Sequence, residues 1–473
     1  MTRIFIADAA LSKFGKSNKS LVEIIREAVE NLNFDLKDID AVFLGLMNPE
    51  GFVGVGNIAS YVADKLGLAG KPAVRVETAS STGAAVLFYA YATLASGIYN
   101  NVLVLAAEKM THLNTPKITK LIADVIDPYE RKTGVSMPSL AAMVTNRFAY
   151  ENKLNIARLQ NLLFSVAEKN HYYGNFNDFA QFRKLITRDD YLKSKIISTP
   201  LRLYDCSPIS DGAAAVVISR KTGDIEIIGV GQGTDKQALT KRDYITHFES
   251  TRKAARQAYN MAGIGPDSID FCEIHDAFTP FEITGLIDTG LCNPKDIYDF
   301  YMEKRCYHDG KLPVNISGGL KSRGHPVGAS GLAQVVECFK IMTGKYPEEI
   351  TPKKVDTALT QSIGGLATNN FVSILKRKTA LIKYFEIGGF SFENEKPKES
   401  KSLKVYTHTI LNTPPEGFES PLKIVICERE GKKFMANFVG DVKDLKIGKR
   451  VRIFSKKDGV VSVAPIKRFG IKR

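Results

Sequence analysis

Apolar and polar positions in the first 378 residues follow a strand period in some segments and a helix period in others. Short, almost continuously apolar runs predict strands at 3–6, 40–45, 74–77 and 102–106. An amphipathic segment at 21–33 and an apolar one at 81–96 predict helices. Strands that are apolar on both faces need helices on both sides of their sheet, so the pattern predicts an α/β fold.

This pattern occurs twice along the chain. Residues 25–46 and 256–274 each run from a helix through a turn into an Ile-Asp pair and an apolar strand. Each half also has a small-residue turn that opens a long helix, and an apolar strand at its end. The repetition predicts a duplicated unit with halves at 1–222 and 223–378. Positions from about 112 to 198 break the pattern, and we expect an inserted cap there over a substrate cleft or a subunit interface.

The last part of the chain has a different character. Residues 379–403 include a charged and polar stretch that is typical of a linker. After it, residues 404–473 contain five short apolar runs separated by Pro, Gly and Asp turns. Five short strands in about 70 residues predict a small all-β barrel of the OB type.

Charge is unevenly distributed along the chain. The net charge is +14, and the segment from residue 380 to the end holds 20 Lys and Arg against 11 Asp and Glu. Such a tail suits nucleic acid, an acidic partner or an anionic ligand. Its lysines are scattered without interleaved aromatic residues, so we favour a solvated surface and expect no nucleic-acid partner.

The six cysteines include no Cys-x-x-Cys pair, which favours free thiols over a disulfide framework or a zinc ribbon. We therefore expect no metal site. The apolar stretch at 84–95 is shorter than the roughly 20 residues that span a bilayer. The first 20 residues lack the pattern of a signal peptide. We expect no membrane partner and a cytoplasmic location.

One candidate site is the turn around Ser80, where a predicted strand leads into the apolar helix at 81–96. The sequence there is Glu-Thr-Ala-Ser-Ser-Thr-Gly from residue 77 to 83. A side chain at a helix N-terminus meets the positive end of the helix, which favours an anionic nucleophile. The alternative is that Ser80 or Ser81 is only an N-cap, and the pattern alone favours that interpretation.

Two histidines occupy the ends of predicted elements in the second half. His275 closes an apolar strand, in the sequence Glu-Ile-His-Asp-Ala-Phe. His325 stands in a glycine-rich run, Gly-His-Pro-Val-Gly-Ala-Ser-Gly, shortly after Asn-Ile-Ser-Gly-Gly at 315–319. Catalytic groups gather at the carboxyl ends of strands in α/β sheets. Turn chemistry could explain the glycines, but it does not readily explain a histidine among them.

These motifs, in this order, resemble the thiolase superfamily, nearest to the sterol-carrier-protein type and the archaeal acetyl-CoA acetyltransferases. The resemblance covers about residues 1–378 and includes three further segments, at 104–111, 206–214 and 360–365. It implies a duplicated five-layer α/β fold, acyl-CoA substrates, two oxyanion holes and usually a dimer. It implies coenzyme A as a substrate and no tightly bound cofactor.

The tail is similar to OB-fold acyl-CoA-associated proteins that are usually encoded beside such thiolases. Those partners generally carry a zinc ribbon before the barrel. Here the corresponding stretch has no cysteine, so we expect that the ribbon is lost and the barrel fused.

The resemblance also implies roles for single residues. His325 matches the histidine that activates the nucleophile and helps to hold the thioester oxygen. His275 matches the histidine of a His-Asp-Cys-Phe motif and, with Asn315 nearby, would bind an enolate oxygen. Four glycines would bind substrate or close the site: Gly318, Gly319, Gly364 and Gly365.

The chain departs from this family at each expected cysteine. Ser80 aligns with the nucleophile, Ala277 with the second motif's cysteine, and Ser362 with the position of a third. A serine hydroxyl has a far higher pKa than a thiol and needs a well-oriented base, and the sequence does not show what would orient His325.

Three hypotheses follow: thiolase-like acyl transfer through Ser80, a cysteine-independent acyl-CoA retro-aldolase, and a non-catalytic acyl-CoA-binding or scaffolding subunit. That last subunit would bridge a thiolase to a downstream synthase. The retro-aldolase needs a base for the β-hydroxyl group, for which the candidates are Tyr298, Tyr301 and Tyr307.

Overall fold

The structure, a computed structural model, describes residues 2–381 and 400–466. These residues form sixteen strands, in chain order β1 (Phe5–Leu11), β2 (Ala41–Gly45), β3 (Ala73–Val76), β4 (Asn101–Glu108), β5 (Ile196–Ser198), β6 (Leu201–Arg202), β7 (Gly212–Ser219), β8 (Ile225–Thr234), β9 (Phe271–Ile274), β10 (Thr357–Gly364), β11 (Asn369–Arg377), β12 (Lys404–Leu411), β13 (Leu422–Arg429), β14 (Lys432–Phe438), β15 (Val451–Lys457) and β16 (Val460–Pro465).

The same residues form fourteen α-helices, which are α1 (Leu21–Glu30), α2 (Pro49–Val53), α3 (Ile58–Lys65), α4 (Thr82–Ala95), α5 (Thr115–Ala123), α6 (Pro128–Arg131), α7 (Met137–Glu151), α8 (Ile156–Gly174), α9 (Arg188–Lys193), α10 (Glu249–Ala262), α11 (Thr279–Asp288), α12 (Ile297–Met302), α13 (Gly319–Arg323) and α14 (Ser330–Met342).

A nine-stranded sheet runs through both predicted halves, in the order β3-β2-β4-β7-β1-β8-β11-β10-β9. Its two parts meet where β1 pairs with β8 over only two positions, Phe5 with Glu226 and Ile6 with Ile225. In the first part β2 lies parallel to β3 and β4, and in the second β9 lies parallel to β10. Each part therefore has the topology of one repeat unit.

Helices α4 and α14 contact each other and contact strands from both parts of the sheet. Helices α1 and α3 contact the first part, and α10 contacts the second. The central pair thus lies between the two parts, with further helices outside them. The predicted duplicated five-layer α/β fold is confirmed, and the strands β2, β7 and β10 are buried along their whole length, as that layering requires.

Strand β8 shows how the sequence sets one of these contacts. It carries Gly229, Gly231 and Gly233 at alternate positions, which face the backbone of α10. A Cβ on any of the three would clash with a carbonyl oxygen of that helix. Glycine is therefore what allows the helix to lie directly on the strand.

The tail strands β12 to β16 form a second sheet in the order β15-β16-β14-β13-β12. Backbone hydrogen bonds close it into a ring, from Val405 N to Lys449 O at 3.0 Å and from Val451 N to Leu403 O at 3.1 Å. The five tail strands lie within two residues of the predicted runs, which are 405–411, 422–428, 434–438, 451–455 and 460–465. The predicted linker at 379–403 lies mostly outside the described residues, which omit 382–399.

The inserted segment between β4 and β7 contains helices α5 to α9, and its strands β5 and β6 extend the tail sheet. Ser198 of β5 pairs with Leu411 of β12. Helix α7 lies against β12, where Thr407 Oγ1 donates to Met143 O at 2.7 Å and the Arg147 guanidinium lies 3.9 Å from the centre of the Tyr406 ring. The insertion therefore contacts the tail domain, a contact that the sequence did not predict.

Within the described ranges, no helix has both the length and the apolar character needed to cross a membrane.

Candidate active site

Five segments that carry the predicted site residues meet at one end of the sheet. They are the turn between β3 and α4, the end of β9, the turn before α13, the loop before α14 and the end of β10. A Cβ on Gly83 would lie 2.5 Å from Leu332 N and 2.9 Å from Gly328 O, so the first turn of α4 abuts the loop that carries His325. A Cβ on Gly364 would likewise clash with the carbonyl oxygen of Thr78. The Ser80 turn is thus enclosed from both sides.

The two predicted histidines are in contact. The ring centroids of His275 and His325 lie 5.3 Å apart, with an angle of 89° between the ring planes. His275 is 1% exposed, and the segment that carries His325 is held by a 2.9 Å hydrogen bond from His325 N to Ser210 Oγ. The sequence prediction that both imidazoles share one site agrees with this geometry.

Ser330 orients the ring of His325. Its Oγ lies 2.7 Å from His325 Nδ1 and donates its own proton to Pro326 O at 2.9 Å. With the hydroxyl proton used in this way, Nδ1 must be the protonated ring nitrogen and must donate to Ser330 Oγ. His325 therefore presents an unprotonated Nε2, which is a proton acceptor.

His275 has the opposite arrangement. Its Nδ1 is buried and has no hydrogen-bond partner in the described part of the chain. An unpaired buried N–H is rarer and costlier than an unpaired acceptor, so we assign the proton to Nε2. His275 is then a hydrogen-bond donor beside the acceptor His325, and one site offers both functions.

Burial keeps both rings neutral. It lowers the pKa of His325 to about 3, with a further contribution from the positive charge of Arg323. It lowers the pKa of His275 well below the ordinary value, and His325 and Arg323 add to the effect. Neutral imidazoles suit hydrogen bonding to a developing anion, but a pKa near 3 makes His325 a weak general base.

The Ser80 turn has an unusual backbone. Ala79 adopts φ 55°, a left-handed conformation that costs a residue with a side chain free energy. Ser80 is partly exposed, and its hydroxyl makes no hydrogen bond to any residue at 2–381 or 400–466. Ser80 therefore has no oriented base in this structure, although the strained turn that would present its hydroxyl is formed.

Ser81, rather than Ser80, occupies the N-cap position of α4, and its side chain does not cap the helix. Its Oγ lies 2.8 Å from Thr78 O and 2.9 Å from Asn369 O, and so ties the turn to β11. Ser81 thus stands at the N-cap position, as one of the two alternatives predicted, but its side chain makes no capping hydrogen bond.

The other two positions of missing cysteines also lie at this site. Ser362, in β10, has a buried Oγ without a hydrogen-bond partner among the described residues. Ala277 follows the buried Asp276 and accepts a backbone hydrogen bond from Ser207 at 2.9 Å. The six cysteines of the chain are all free, and none occupies these three positions.

Asn315 does not fit the direct role that the resemblance suggested. Its Nδ2 donates to Ile274 O at 2.9 Å and to Glu282 Oε2 at 2.6 Å, and its Oδ1 accepts from Ile274 N at 2.6 Å. Both amide protons are therefore used, and none is free for an enolate oxygen. Asn315 instead fixes the end of β9, directly before His275.

Gly318 and Gly319 pack against protein groups. A Cβ on Gly318 would lie 2.7 Å from the Cα of Gly174 in α8, and one on Gly319 would overlap the Asp276 carboxylate. That carboxylate accepts from Leu320 N at 2.6 Å and Lys321 N at 3.1 Å. The observed contacts of Gly318 and Gly319 are with protein groups, and they hold helix α13 in position.

Gly319→Ala is expected to lower the free energy of unfolding by about 3 kcal/mol, because it adds a steric clash to the cost of a left-handed φ. Gly67→Ala is the matched control. Gly67 has φ 73°, but a Cβ there would meet nothing within 4 Å. Gly67→Ala should lower the free energy of unfolding by about 1 kcal/mol, which is the cost of the left-handed φ without a clash. Urea denaturation followed by circular dichroism measures both, and equal losses would contradict the packing role of Gly319.

Gly364 is the last residue of β10 and Gly365 follows it, beside the Ser80 turn. Gly364 contacts Thr78 O, and Gly365 has φ 58°, a conformation that glycine adopts readily. Their placement agrees with the prediction that this loop closes the site, although no substrate contact is visible.

Two of the three candidate tyrosines do not supply a base. Tyr301 is buried, donates to Glu282 Oε1 at 2.8 Å, and burial raises its pKa well above the ordinary value. Burial also raises the pKa of Tyr307. A tyrosinate base needs a lowered pKa, so these two predictions are wrong. Tyr298 is held under the Arg158 guanidinium, 4.2 Å from the ring centre.

Sequence reasoning missed two residues that hold the His325 loop. Ser330 lies in the same glycine-rich run, so a serine within one turn of the histidine was the available signal. Glu108, at the end of β4, accepts from Gly328 N at 3.0 Å and Met47 N at 2.9 Å. Burial raises its pKa to about 8, and nothing in its sequence context indicated that contact.

No group of three or more His, Cys, Asp and Glu side chains within the described ranges is arranged to hold a metal ion.

Comparison with known proteins agrees with this geometry. The sequence profile described as "Thiolase, N-terminal domain" matches residues 4–222, and the one described as "Thiolase C-terminal domain-like" matches residues 231–377. The acetyl-CoA acetyltransferase of Methanothermobacter thermautotrophicus is 35% identical over 390 residues, which cover 80% of this chain and 100% of the relative.

Two solved structures share the fold. A chain of an Ltp2-ChsH2(DUF35) aldolase superposes with a TM-score of 0.67 at 21% identity, over 80% of this chain and 98% of its own. A monomeric SCP2-thiolase-like protein type 1 from Mycobacterium smegmatis superposes with a TM-score of 0.72 at 16% identity, over 98% of both chains. At these identities the similarity concerns the fold alone.

Proposed function

The chain belongs to the thiolase superfamily, and on this basis we propose that it makes or breaks a carbon–carbon bond next to an acyl-CoA thioester without an acyl-enzyme intermediate. The substrate we favour is a β-hydroxyacyl-CoA, and the reaction is then a retro-aldol cleavage. The observation that carries this proposal is the contact between two neutral histidines, one a donor and one an acceptor.

Such a cleavage leaves an electron pair at the α-carbon, which the thioester carbonyl takes up as an enolate. The oxygen of the enolate needs a fixed hydrogen-bond donor in a water-poor site. His275 Nε2–H supplies one, and the depressed pKa of His275 keeps the ring neutral beside the forming anion. His325 lies in edge contact with that donor, and in the reverse, bond-forming direction its unprotonated Nε2 would accept the proton that leaves the α-carbon.

Acyl transfer through Ser80 remains the second candidate because the strained turn at Ala79 is present. A serine nucleophile needs a hydrogen-bonded base with a pKa near the working pH. Ser80 has no such bond within the described residues, and the pKa of His325 is about 3. This combination favours the route without a covalent intermediate, and the fold shared with an aldolase is compatible with that route. A non-catalytic scaffold would not need the complementary histidines.

We infer that the tail barrel is of the OB type. Numbered from its first strand, its order is 1-2-3-5-4, and backbone hydrogen bonds join strand 4 to the start of strand 1. Its excess of Lys and Arg suits the phosphates of coenzyme A or an acidic partner protein.

Acyl-CoA is the proposed small-molecule partner. We also propose a homodimer or a larger complex, with a synthase of the same pathway as a further member. Strand β3 supports this assembly, since among the described strands it is an edge strand that pairs with β2 alone, and its Val74 is 44% exposed.

The test is incubation of the purified full-length protein with β-hydroxyacyl-CoAs of several chain lengths, followed by chromatography of the CoA products and trapping of the released aldehyde or ketone. We expect a shorter acyl-CoA and a carbonyl compound in equal amounts. Acyl exchange between coenzyme A and β-ketoacyl-CoA, without cleavage of the hydroxy compound, would refute the proposal in favour of acyl transfer. Binding without either reaction would refute it in favour of a scaffold.

A further inference from the structure

A buried ion pair lies behind the segments that carry the two histidines. It joins Lys169 of α8, in the insertion, to Glu282 of α11, with Lys169 Nζ 3.1 Å from Glu282 Oε1. Both side chains are fully buried. Removing two charges from water is costly, and apolar residues of the same size often stabilise a fold as well as such a pair does. Stability alone is therefore a poor explanation for charges at this place.

The carboxylate of Glu282 is fully used by protein donors. Its Oε1 accepts from Tyr301 Oη at 2.8 Å and from Lys169 Nζ. Its Oε2 accepts from Asn315 Nδ2 at 2.6 Å and from Asn170 Nδ2 at 2.8 Å. Four donors, two of them from helix α8, therefore converge on one carboxylate.

One branch of this network reaches the strand end directly before His275. Asn315, held by the carboxylate, exchanges two hydrogen bonds with the backbone of Ile274, at 2.9 Å and 2.6 Å. Lys169 Nζ donates to Val314 O at 2.6 Å, and Val314 forms a backbone bridge with β9. The ion pair thus fixes how the turn before α13 lies against the end of β9.

The other branch leads toward His325. Asn170 Nδ2 donates to Asp276 Oδ2 at 2.7 Å as well as to Glu282. The Asp276 carboxylate in turn accepts from two backbone N–H groups of α13. That helix ends at Arg323, just before the glycine that precedes His325. Asn170 therefore connects the Glu282 carboxylate to the segment that carries the second imidazole.

From these contacts, and resting on the proposed retro-aldol function, we propose that Glu282 is a positioning residue, which acts through Asn315 and Asn170 to hold the two imidazoles in the arrangement that cleavage requires. Its own oxygens are filled by protein donors, so it acts through other residues. Catalysis is sensitive to such positioning, because a displacement of about 1 Å can cost about 100-fold in rate. Helix α8 supplies two of the donors, so the insertion supports the site from behind.

The charge of Glu282 also has a consequence for the pH dependence. Burial raises the pKa of Asp276 to about 6, and the charge of Glu282 adds to this, whereas the backbone N–H groups of α13 and the charge of Lys169 oppose it. Lys321 of α13 is a further cation near Asp276. A protonated Asp276 would lose an acceptor for these N–H groups, so cleavage should slow as the pH falls through about 6. Without the charge of Glu282, this acid limb should move to lower pH.

The experiment compares the full-length wild type with Glu282→Gln, which keeps the shape but turns an amide N–H toward two of the four donors. We expect kcat for β-hydroxyacyl-CoA cleavage to fall about 100-fold while KM changes by less than about threefold, since contacts with the substrate are kept. The acid limb should also move to lower pH. Its shift is the readout rather than its position, because burial also raises the pKa of Asp205 to about 6 and that of Glu273 to about 7.

Asp288→Asn is the matched control, since it makes the same change at another buried carboxylate of α11. Asp288 is the last residue of that helix and accepts from Arg252 Nε at 2.9 Å and Phe248 N at 2.6 Å. It should lower the unfolding temperature but leave kcat and the acid limb unchanged. If thermal unfolding shows that Glu282→Gln does not fold, Asn170→Ala replaces it. That variant cuts only the second branch and should lower kcat at least about 10-fold.

A measurement that needs no turnover accompanies the kinetics. Proton–carbon correlation spectra of protein with labelled histidine report the environment of each ring, and His275→Ala and His325→Ala assign the two signals. We expect Glu282→Gln to shift both signals and to leave that of His408, in the tail barrel, unchanged. Asp288→Asn should shift none of the three.

The outcomes separate the two claims. If the wild type does not cleave the substrate, the proposed function fails, and the spectra alone decide the inference. If folded Glu282→Gln leaves both histidine signals unchanged, or keeps the kcat and acid limb of an active wild type, the ion pair only stabilises the fold and the inference is overturned. Equal losses of kcat in Glu282→Gln and Asp288→Asn would overturn it as well.

Discussion

Ser80→Cys is expected to acquire an acyl group from acetyl-CoA, whereas the wild type and Ser80→Ala acquire none. A thiol ionises near pH 8.5, and the positive end of α4, which begins at Thr82, lowers that value further. The serine hydroxyl lacks this advantage and has no hydrogen-bonded base among the described residues. Intact-protein mass spectrometry followed by peptide mapping locates the adduct on residue 80.

The same variants test whether residue 80 matters for cleavage. If no covalent intermediate forms, Ser80→Ala should cleave β-hydroxyacyl-CoA within about threefold of the wild-type rate, a difference of less than 1 kcal/mol in the barrier. An acyl adduct on wild-type Ser80 that is absent from Ser80→Ala would overturn this view. It would assign serine-based acyl transfer as the primary activity.

His275→Ala is expected to lower kcat for cleavage by about 100- to 1000-fold, which corresponds to about 2.7–4 kcal/mol of lost transition-state stabilisation. The variant removes the Nε2–H that would hold the enolate oxygen. His275→Asn keeps an N–H donor near the same place, so it should lose less, about 10-fold. Steady-state kinetics with a saturating substrate give kcat separately from KM.

A matched control for His275 lies in the tail barrel. His408, in β12, also has a buried Nδ1 without a partner among the described residues, and burial lowers its pKa to about 4. His408→Ala should change kcat by less than about twofold. Thermal unfolding of both variants separates a loss of fold from a loss of chemistry. A folded His275→Ala with wild-type kcat would remove His275 from the mechanism.

Much of the fold could be predicted because its signals are local. The strand predicted from 40 to 45 is an almost continuous apolar run, and the structure places it at Ala41–Gly45. The apolar strand predicted at the end of the first half lies at Gly212–Ser219. The five tail strands are bounded by Gly, Pro and Asp turns, which also act locally. Strands β5 and β6 were missed, because they are short and form by pairing with each other and with β12, a strand about 200 residues later.

The candidate site could be predicted to the level of segments but not of atoms. His275 and His325 were found because strand ends and glycine-rich turns mark functional positions. The hydrogen-bond partners of the side chains could not be predicted, since they depend on contacts between elements that are distant in sequence. Asn315 is occupied by Ile274 and Glu282, whereas Ser330, which the sequence did not single out, orients the ring of His325.

The shared sheet of the insertion and the tail domain has a thermodynamic consequence. Asn146 of α7 donates to His408 O at 2.8 Å and to Thr199 O at 3.2 Å, so one side chain bridges β12 and the segment after β5. Detaching the barrel would break this bridge and leave β5, among the described strands, paired with β6 alone, so the two parts should open as one cooperative unit. A ligand that binds only the docked barrel then stabilises the insertion by mass action. Occupancy at the barrel is in this way linked to the stability of helix α7, which contacts both β12 and β5.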